Sequence, residues 1–279
     1  MLDNGAIKSI SAEARRRAGI AIPKGQTYLV EARLAPIARS EGYESQEDLI
    51  NALAQVPEDR LWRRVVESLA DHETWFFRDP APLDHFMSDI LPVLARIKAR
   101  KAPIRIWSAG CGTGQEAWSL AMLLEEHKDR LAGIDIEIVG TDICSRAIDR
   151  AQTGAYSQFE VQRGLSIHRL IEHFKPSGNQ WVLKDSVKRW VRFERGNLLK
   201  PQENLGEFDI IFCRNVLSGM TPDARKHTLA QLATRLAPAG YLVLGPGETI
   251  AGAGDLYRSL TGARGVYART MDRQSKQAA

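Results

Sequence analysis

The first part of the chain has the hydrophobic pattern of amphipathic helices. From Ile7 to about Trp75, apolar residues recur at three- and four-residue spacing, as in Leu49 and Leu53, and that spacing places them on one face of a helix. Below about 70–80 residues a single core rarely sustains a domain alone, so we expect this part to pack against its neighbour. The pattern predicts an all-helical N-terminal domain over residues 1–75.

A different pattern begins at Ile104, where short apolar segments alternate with helical ones. The predicted strands are residues 104–107, 136–140, 191–194, 208–212 and 241–244. The predicted helices are residues 116–127, 145–152 and 223–236. This alternation is typical of α/β proteins in which helices cover both faces of a mostly parallel sheet. It predicts an α/β domain over residues 76–270, following a connection that ends at Pro80.

Two other parts of the chain depart from that alternation. The pattern loosens between Tyr156 and Val191, where the apolar residues 181–183 are followed by a segment from Val187 to Trp190. We interpret them as strands of a small antiparallel β-subdomain at about residues 174–192. The chain becomes polar from Met271 onward, which predicts a disordered tail over residues 271–279.

The composition is that of a globular protein, with 44% hydrophobic and 26% charged residues. No apolar run approaches the ~20 residues that span a bilayer, and the first residues do not resemble a secretion signal. We therefore expect a cytoplasmic protein without membrane insertion. The cysteines, Cys111, Cys144 and Cys213, form no C-x-x-C pair, so we expect neither a disulfide nor a metal site.

The charge is distributed unevenly along the chain. The formal net charge is +4, too small to require a nucleic-acid partner. Lys and Arg nevertheless outnumber Asp and Glu over residues 144–200. Two interpretations stay open, a solvated basic face and a surface that meets an acidic protein.

A glycine-rich turn, Gly110-Cys111-Gly112-Thr113-Gly114, joins the first predicted strand to a helix. Such a turn lets a ligand lie against the backbone at the carboxyl edge of a sheet. The dinucleotide fingerprint requires glycine where Gln115 stands, and Glu116 at the helix start repels a pyrophosphate. A cofactor without phosphates is favoured. S-adenosylmethionine (SAM) is such a cofactor, and Glu116 suits its ammonium group, although a glycine turn alone also serves merely to close a tight loop.

Asp142 ends the second predicted strand, some 30 residues after the glycine turn. Nucleotide-binding folds place an acidic residue at this point, where its carboxylate accepts hydrogen bonds from ribose hydroxyls. We predict that Asp142 binds the ribose. The alternative is that Asp142 or Ser145 only caps the following helix.

The strand at residues 208–212 leads into Arg214, Asn215 and Val216. These residues, of which Arg214 and Asn215 are polar, lie at the same carboxyl edge, where α/β sheets bind ligands. An adenine-specific DNA methyltransferase would carry an Asn/Asp-Pro-Pro-aromatic run here to hold a flipped base. Because this chain lacks that run, we expect no nucleic-acid substrate.

Together these residues resemble the chemotaxis receptor methyltransferases, the CheR family, over most of the chain from about Ile7 to about Tyr267. The segment Glu73-Thr74-Trp75-Phe76-Phe77-Arg78-Asp79 is similar to the family's Asn-Glu-Thr-x-Phe-Phe-Arg segment. The other matching motifs are residues 25–34, 107–116, 154–156, 197–199, 212–217 and 240–245. The resemblance implies a Rossmann-like class I SAM-dependent methyltransferase domain with a helical N-terminal domain.

The resemblance also implies an activity and a set of site residues. The activity is methyl transfer from SAM to glutamate side chains on the cytoplasmic helices of chemoreceptors, which yields methyl esters and S-adenosylhomocysteine. The implied cofactor contacts are His72, Thr74, Arg78, Glu116, Asp142, Asn197, Leu198, Asn215 and Val216. Gly110, the first residue of the glycine turn, is expected to join them. Arg78 is also expected to orient a reacting carboxylate. Arg15, Arg33 and Arg39 are the implied contacts with the receptor, although as charge clusters alone they are typical of a solvated surface.

Two positions depart from the family pattern. His72 stands where the family has asparagine, and Gly219 stands where it has a tyrosine close to the transferred methyl group. The alternative function is therefore a SAM-binding regulatory module with weakened catalysis.

Some family members also capture a receptor tail peptide with a glycine-rich loop in the β-subdomain. The matching stretch here, residues 174–187, has one glycine, Gly178, so we expect no tether-peptide binding.

Overall fold

A computed structural model describes residues 2–23, 25, 27–55, 59–98 and 102–270. The predicted disordered tail, residues 271–279, lies outside the described residues. Among the helices in those ranges, none is long and apolar enough to cross a membrane.

The N-terminal part is helical, as predicted. Its helices are α1 (Asn4–Ala18), α2 (Thr27–Glu41), α3 (Gln46–Gln55) and α4 (Asp59–Leu69). The Asp3 side chain caps the start of α1 by accepting from the Ala6 N–H at 2.7 Å. Leu34 of α2, Leu49 of α3 and Val65 of α4 are fully buried in a shared core. The core therefore forms from one apolar face of each helix.

A helical segment that the hydrophobic pattern did not predict joins this part to the sheet. It consists of α5 (Ala81–His85), a π-helical turn (Phe86–Ile90) and α6 (Leu91–Lys98). Leu83, Phe86 and Leu94 are buried in the same core as the sheet. The segment begins immediately after Pro80, whose fixed φ suits a helix start.

A seven-stranded sheet forms the centre of the second part. Its strands are β1 (Ile104–Ala109), β2 (Ile136–Asp142), β6 (Val191–Arg195), β7 (Phe208–Cys213), β8 (Leu236–Leu244), β9 (Tyr257–Ser259) and β10 (Val266–Arg269). Their order is β6-β2-β1-β7-β8-β10-β9. The first five are parallel, and β10 is antiparallel to both of its neighbours. All five predicted strands are confirmed.

Helices cover both faces of this sheet. Successive side chains of a strand point to opposite faces, and here both sets of side chains are buried. Ile106 belongs to one hydrophobic core and its neighbour Trp107 to the other. The helices of this part are α7 (Gln115–Glu126), α8 (Ser145–Thr153), α9 (Gln158–Gln162), α10 (Ile167–His173), α11 (Asp185–Lys188) and α12 (Pro222–Arg235). The predicted α/β class and the three predicted helices are confirmed.

A small antiparallel sheet lies beside the main one. It contains β3 (Ala155–Ser157), β4 (Phe174–Ser177) and β5 (Gln180–Leu183) in the order β3-β5-β4. The predicted strand at 181–183 is confirmed, but a strand at 187–190 is wrong, because α11 occupies that region. Val187 is fully buried, and Trp190, three residues later, donates its indole N–H to Glu125 at 3.0 Å. Residues three apart lie on one side of a helical turn but on opposite faces of a strand, so this spacing favours the helix.

The segment that follows α1 is hydrogen-bonded to the loop that follows β7, at the carboxyl edge of the main sheet. Ala21 donates its N–H to the Gly219 carbonyl at 2.9 Å, and Thr221 donates to the Gly19 carbonyl at 2.8 Å. Ile20 and Met220 form an antiparallel bridge between them. Backbone pairing of this kind fixes the first helix over the loop that follows β7.

Candidate functional site

A cavity of about 400 Å³ lies between the N-terminal helices and the carboxyl edge of the main sheet. One wall comes from the helical part and includes Ile20, Val30, Arg33 and Leu69. The opposite wall comes from the ends of the parallel strands, namely Gly110, Asp142, Gly196, Asn197, Leu198, Asn215 and Val216. Because β1 and β7 are neighbours at the point where strand order reverses, this is where a parallel α/β sheet opens a ligand crevice.

A smaller cavity of about 30 Å³ adjoins the first and shares His72, Gly110, Asn215 and Val216 with it. Its lining also includes Thr74, Arg78, Glu116 and Arg214. All ten residues predicted to contact the cofactor therefore line one cavity or the other. They come from segments far apart in the chain, so their convergence is a property of the fold.

The glycine turn brings the backbone close to the loop after β7. Gly110 has a φ of 79°, and a Cβ atom there would lie 2.5 Å from Cγ2 of Val216. No larger residue fits that contact without displacing Val216. The N–H groups of Gly110 and Cys111 both donate to the Thr141 carbonyl, at 2.8 and 2.9 Å. The turn is thereby held against the end of β2.

Asp142 joins the glycine turn to the start of α8. Its 6%-exposed carboxylate accepts from the N–H of Gly112 at 2.9 Å and from the N–H of Cys144, also at 2.9 Å. The N-cap residue of α8 is Cys144 and its side chain makes no capping hydrogen bond, so Asp142 is bonded to the N-cap residue without being the helix cap itself. Asp142 also lines the larger cavity, and Nδ1 of His72 lies 3.4 Å from its Oδ1. Asp142 therefore connects the glycine turn to the residue before α8 while it lines the larger cavity.

Glu116 is paired with a buried arginine that the sequence interpretation left without a role. Oε2 of Glu116 accepts from Nη1 of Arg214 at 3.1 Å, and Oε1 accepts from the Ser108 hydroxyl at 2.8 Å. The Arg214 side chain is only 2% exposed. A buried arginine normally needs such a partner. The sequence signal for Arg214 was its place immediately after a fully buried strand.

The loop that carries Arg78 has an unusual backbone. Phe77 and Asp79, on either side of it, have positive φ values of 51° and 49°. Nη2 of Arg214 donates to the Arg78 carbonyl at 2.7 Å, and the Arg78 guanidinium lies 4.0 Å from the ring centre of Trp75. Left-handed conformations in residues other than glycine cost energy and concentrate at functional sites.

Glu248 is a second residue that the sequence interpretation missed. It is 8% exposed, and its carboxylate accepts three backbone N–H groups, from Asn215 at 2.8 Å and from Ser218 and Gly245 at 2.9 Å. Asn215 has a φ of 61°. The carboxylate therefore holds the loop after β7 in a strained conformation. The hydrophobic pattern has no signal for such a role.

Two arginine nitrogens at the smaller cavity have unused donor capacity. Nε of Arg78 and Nε of Arg214 are buried and have no hydrogen-bond partner among the described residues. Buried donors normally find a partner. Both arginines line the same space as Glu116 and Thr74, so this space presents unsatisfied donors and a carboxylate side by side.

Comparison with known proteins adds to this geometry. The family model described as "CheR methyltransferase, SAM binding domain" matches residues 72–266. The chemotaxis protein methyltransferase Cher2 of Pseudomonas putida is 32% identical, covering 89% of this chain and 91% of its own. The chemotaxis protein methyltransferase of Vibrio anguillarum is 37% identical, covering 86% and 87%. The chemotaxis protein methyltransferase 1 of Pseudomonas aeruginosa is 32% identical, covering 90% and 92%.

The chain belongs to the CheR methyltransferase family. Its matched region is a SAM-binding methyltransferase domain, and it contains both cavities except the wall formed by the N-terminal helices. The predicted resemblance and fold class are confirmed. The wall of the larger cavity is thus completed by residues that precede the matched domain.

The three arginines that the resemblance implied for receptor contact have different surroundings in this CheR protein. Arg33 lies in the wall of the larger cavity, and its Nη1 donates to the carbonyls of Leu69 and Ala70 at the end of α4. Arg15 and Arg39 are exposed on α1 and α2. Only Arg33 is placed where it reaches a group inside the cavity.

Gly219, at the family's tyrosine position, also faces the larger cavity. An added Cβ there would meet no atom within 4 Å. The Gly219 carbonyl accepts from Ala21, so its backbone contributes to the pairing between the two parts of the chain. The missing side chain leaves open space in the cavity.

Proposed function

We propose that this CheR protein transfers the methyl group of SAM to glutamate carboxylates on the cytoplasmic helices of chemoreceptors. The products are glutamyl methyl esters and S-adenosylhomocysteine. The observation that carries the proposal is the pair of adjoining cavities, in which Asp142, Glu116 and two arginines with unused donors converge. Membership of the family supports the acceptor class.

The donor set of the two cavities fits SAM. Asp142 suits the ribose hydroxyls, because a carboxylate accepts from both at once. The unpartnered Nε atoms of Arg78 and Arg214 suit the cofactor's carboxylate, and Glu116 suits its ammonium. The apolar side chains of Leu198 and Val216 line the larger cavity and suit the adenine ring. No metal is needed for this fit.

The reaction needs alignment more than acid–base chemistry. Bound SAM supplies a methyl group on a positively charged sulfur. One oxygen of the glutamate carboxylate forms a bond to that carbon while the carbon–sulfur bond breaks and its electron pair stays on sulfur. A glutamate side chain is already ionised near neutral pH, so no proton is transferred. The protein has to remove water from the carboxylate and hold it in line.

Arg33 is the residue best placed to orient the acceptor carboxylate. It lies in the cavity wall together with the apolar side chains of Ile20, Val30 and Leu69, which exclude water. The exposed Arg15 and Arg39, with the basic stretch 144–200, would attract an acidic receptor helix from a distance. We expect no tether peptide to be required, because Gly178 and Asn179 close a tight hairpin between β4 and β5.

The direct test is methyl transfer from radiolabelled SAM to a chemoreceptor signalling fragment. We expect base-labile label on the fragment and none on a control fragment whose candidate glutamates are replaced by alanine. Arg33→Ala should reduce transfer at least tenfold without changing SAM affinity, whereas Arg39→Ala should change it less. Label that resists base, or label on the control fragment, would show that the acceptor is not a glutamate carboxylate.

A regulatory module that binds SAM and transfers nothing is the second candidate, and the open space at Gly219 favours it. The variant Gly219→Tyr separates the two functions, since that space accepts a side chain without a clash at Cβ. Transfer by the wild-type chain supports the enzyme. If wild type binds SAM without transfer and the variant gains transfer, the regulatory function is correct and Gly219 is its cause.

A further inference from the structure

His72 lies where the end of α4 meets the ribose-binding edge of the sheet. Its Nε2 is 2.8 Å from the carbonyl oxygen of Glu67 on α4. Its Nδ1 is buried, has no well-aligned hydrogen bond among the described residues, and lies 3.4 Å from Oδ1 of Asp142. The imidazole therefore stands between a backbone carbonyl and a buried carboxylate.

This geometry determines the protonation of the ring. A carbonyl oxygen only accepts hydrogen bonds, so Nε2 must carry a proton toward Glu67. In the neutral ring the lone pair of Nδ1 would then face the Asp142 carboxylate, which is repulsive. A second proton on Nδ1 replaces that repulsion with an attraction between opposite charges.

We propose that His72 is a permanently protonated positioning residue, the fixed counter-ion of Asp142, and that it ties the ribose carboxylate to the N-terminal helices. The inference rests on the proposed function, because Asp142 is the ribose carboxylate there. In this proposal His72 does not contact the cofactor; it acts by holding the Asp142 carboxylate in position.

The groups that face the ring support a charged state. Asp142 and Cys144 face it from β2 and the start of α8, and Glu67 faces it from α4. Burial of the ring lowers the pKa of His72, but the polar groups of Asp142 and Cys144 close to Nδ1, the charge of Asp142 and the hydrogen bond to the Glu67 carbonyl outweigh burial and raise that pKa to about 11. The ring stays charged throughout the physiological range.

Glu67 extends the connection in the other direction. Its carboxylate, on a residue only 7% exposed, accepts from the N–H and hydroxyl of Ser145 at 3.3 and 3.2 Å. It also lies 3.1 Å from Nη2 of Arg195 at the end of β6. One residue of α4 thus bonds to His72 through its backbone and to the sheet edge through its side chain. The helical part is consequently connected to the ribose site on both sides of Asp142.

The protonation state is tested first, on the full-length wild-type protein. Nitrogen NMR of ¹⁵N-histidine-labelled protein should show both ring nitrogens of His72 protonated from about pH 6 to about pH 9. His227 is the matched control, because its Nε2 also lies near a carbonyl, that of Leu199 at 3.0 Å, but the residue is exposed. A His72 ring that titrates between about pH 6 and about pH 8 overturns the inference.

The action through Asp142 is tested by a double-mutant cycle on S-adenosylhomocysteine affinity, measured by calorimetry. His72→Asn should weaken binding on the order of tenfold, since a charged partner is replaced by a neutral one. In the Asp142→Asn background the same substitution should change affinity by less than about threefold. A larger effect in that background overturns the inference, as does a tenfold loss in the control His227→Asn.

The two proposals fail in different ways. A wild-type protein that does not bind S-adenosylhomocysteine refutes the proposed function, while the NMR result still decides the charge of His72. Binding with additive effects of His72→Asn and Asp142→Asn refutes the positioning role and leaves the proposed function intact. Thermal unfolding of each variant confirms that the comparison concerns folded protein.

Discussion

Nη1 of Arg214 donates to Oε2 of Glu116 over 3.1 Å, although 98 positions separate the two residues in the chain. The same guanidinium donates from Nη2 to the carbonyl of Arg78. One buried cation thus joins the end of β7, the start of α7 and the loop that precedes α5. This pair fixes the geometry of the smaller cavity before any ligand arrives.

The pair predicts distinct effects on binding and stability. Glu116→Gln should weaken SAM binding about tenfold, through the lost attraction for the ammonium group, and should lower stability because Arg214 loses its counter-charge. The double variant Glu116→Gln/Arg214→Met should recover stability without recovering affinity. Calorimetry and chemical denaturation separate the two quantities. If only stability falls in the single variant, Glu116 is a structural residue and not a ligand.

Asp142→Ala should weaken SAM binding by about 1–3 kcal/mol, because the ribose hydroxyls lose a charged acceptor. Calorimetry gives the affinity directly. Asp149→Ala is the matched control, since Asp149 is exposed on α8, and it should bind as the wild type does. An Asp142→Ala affinity within about twofold of wild type would contradict the ribose assignment.

Glu248→Gln should both destabilise the protein and weaken SAM binding. An amide has one acceptor oxygen, whereas the carboxylate accepts N–H groups on both, from Asn215, Ser218 and Gly245. At least one buried N–H loses its partner, which costs about 1–3 kcal/mol. Denaturation and calorimetry measure the two effects, with the exposed Glu207→Gln as control. Unchanged affinity in a destabilised Glu248→Gln variant would show that the loop geometry does not matter for binding.

A pH dependence follows from Glu126. Burial raises the pKa of this carboxyl, but hydrogen bonds from His173 and Arg169 outweigh burial and lower the pKa from 4.5 to about 2. Because the folded value is depressed, the stabilisation is present above pH 4.5 and is lost as pH falls toward 2. The difference in unfolding free energy between wild type and Glu126→Gln should therefore be largest near neutral pH and shrink in acid. Urea denaturation across that range measures it, and a difference that grows in acid would be contrary to this account.

The local sequence pattern was sufficient to predict much of the secondary structure of this protein. Strands and helices of the main sheet follow from hydrophobic periodicity, because each buried face repeats along a short segment. The glycine turn and Asp142 were also recognisable, since their chemistry depends on their order along one strand–turn–helix unit. The error at residues 187–190 has the same origin. Val187 and Trp190 are too few residues to establish a period, although a spacing of three favours a helical turn over a strand, and α11 buries Val187 in the core.

The sequence by itself thus determined the α/β class and the position of the glycine turn, whose first residue, Gly110, lines both cavities. Only the tertiary structure decided which of the site residues are paired. Arg214 with Glu116, Glu248 with the loop after β7, and His72 with Asp142 are contacts between segments at least 30 positions apart. Their charges interact because folding brings them together in a place from which water is largely excluded, and no periodicity along the chain encodes that distance.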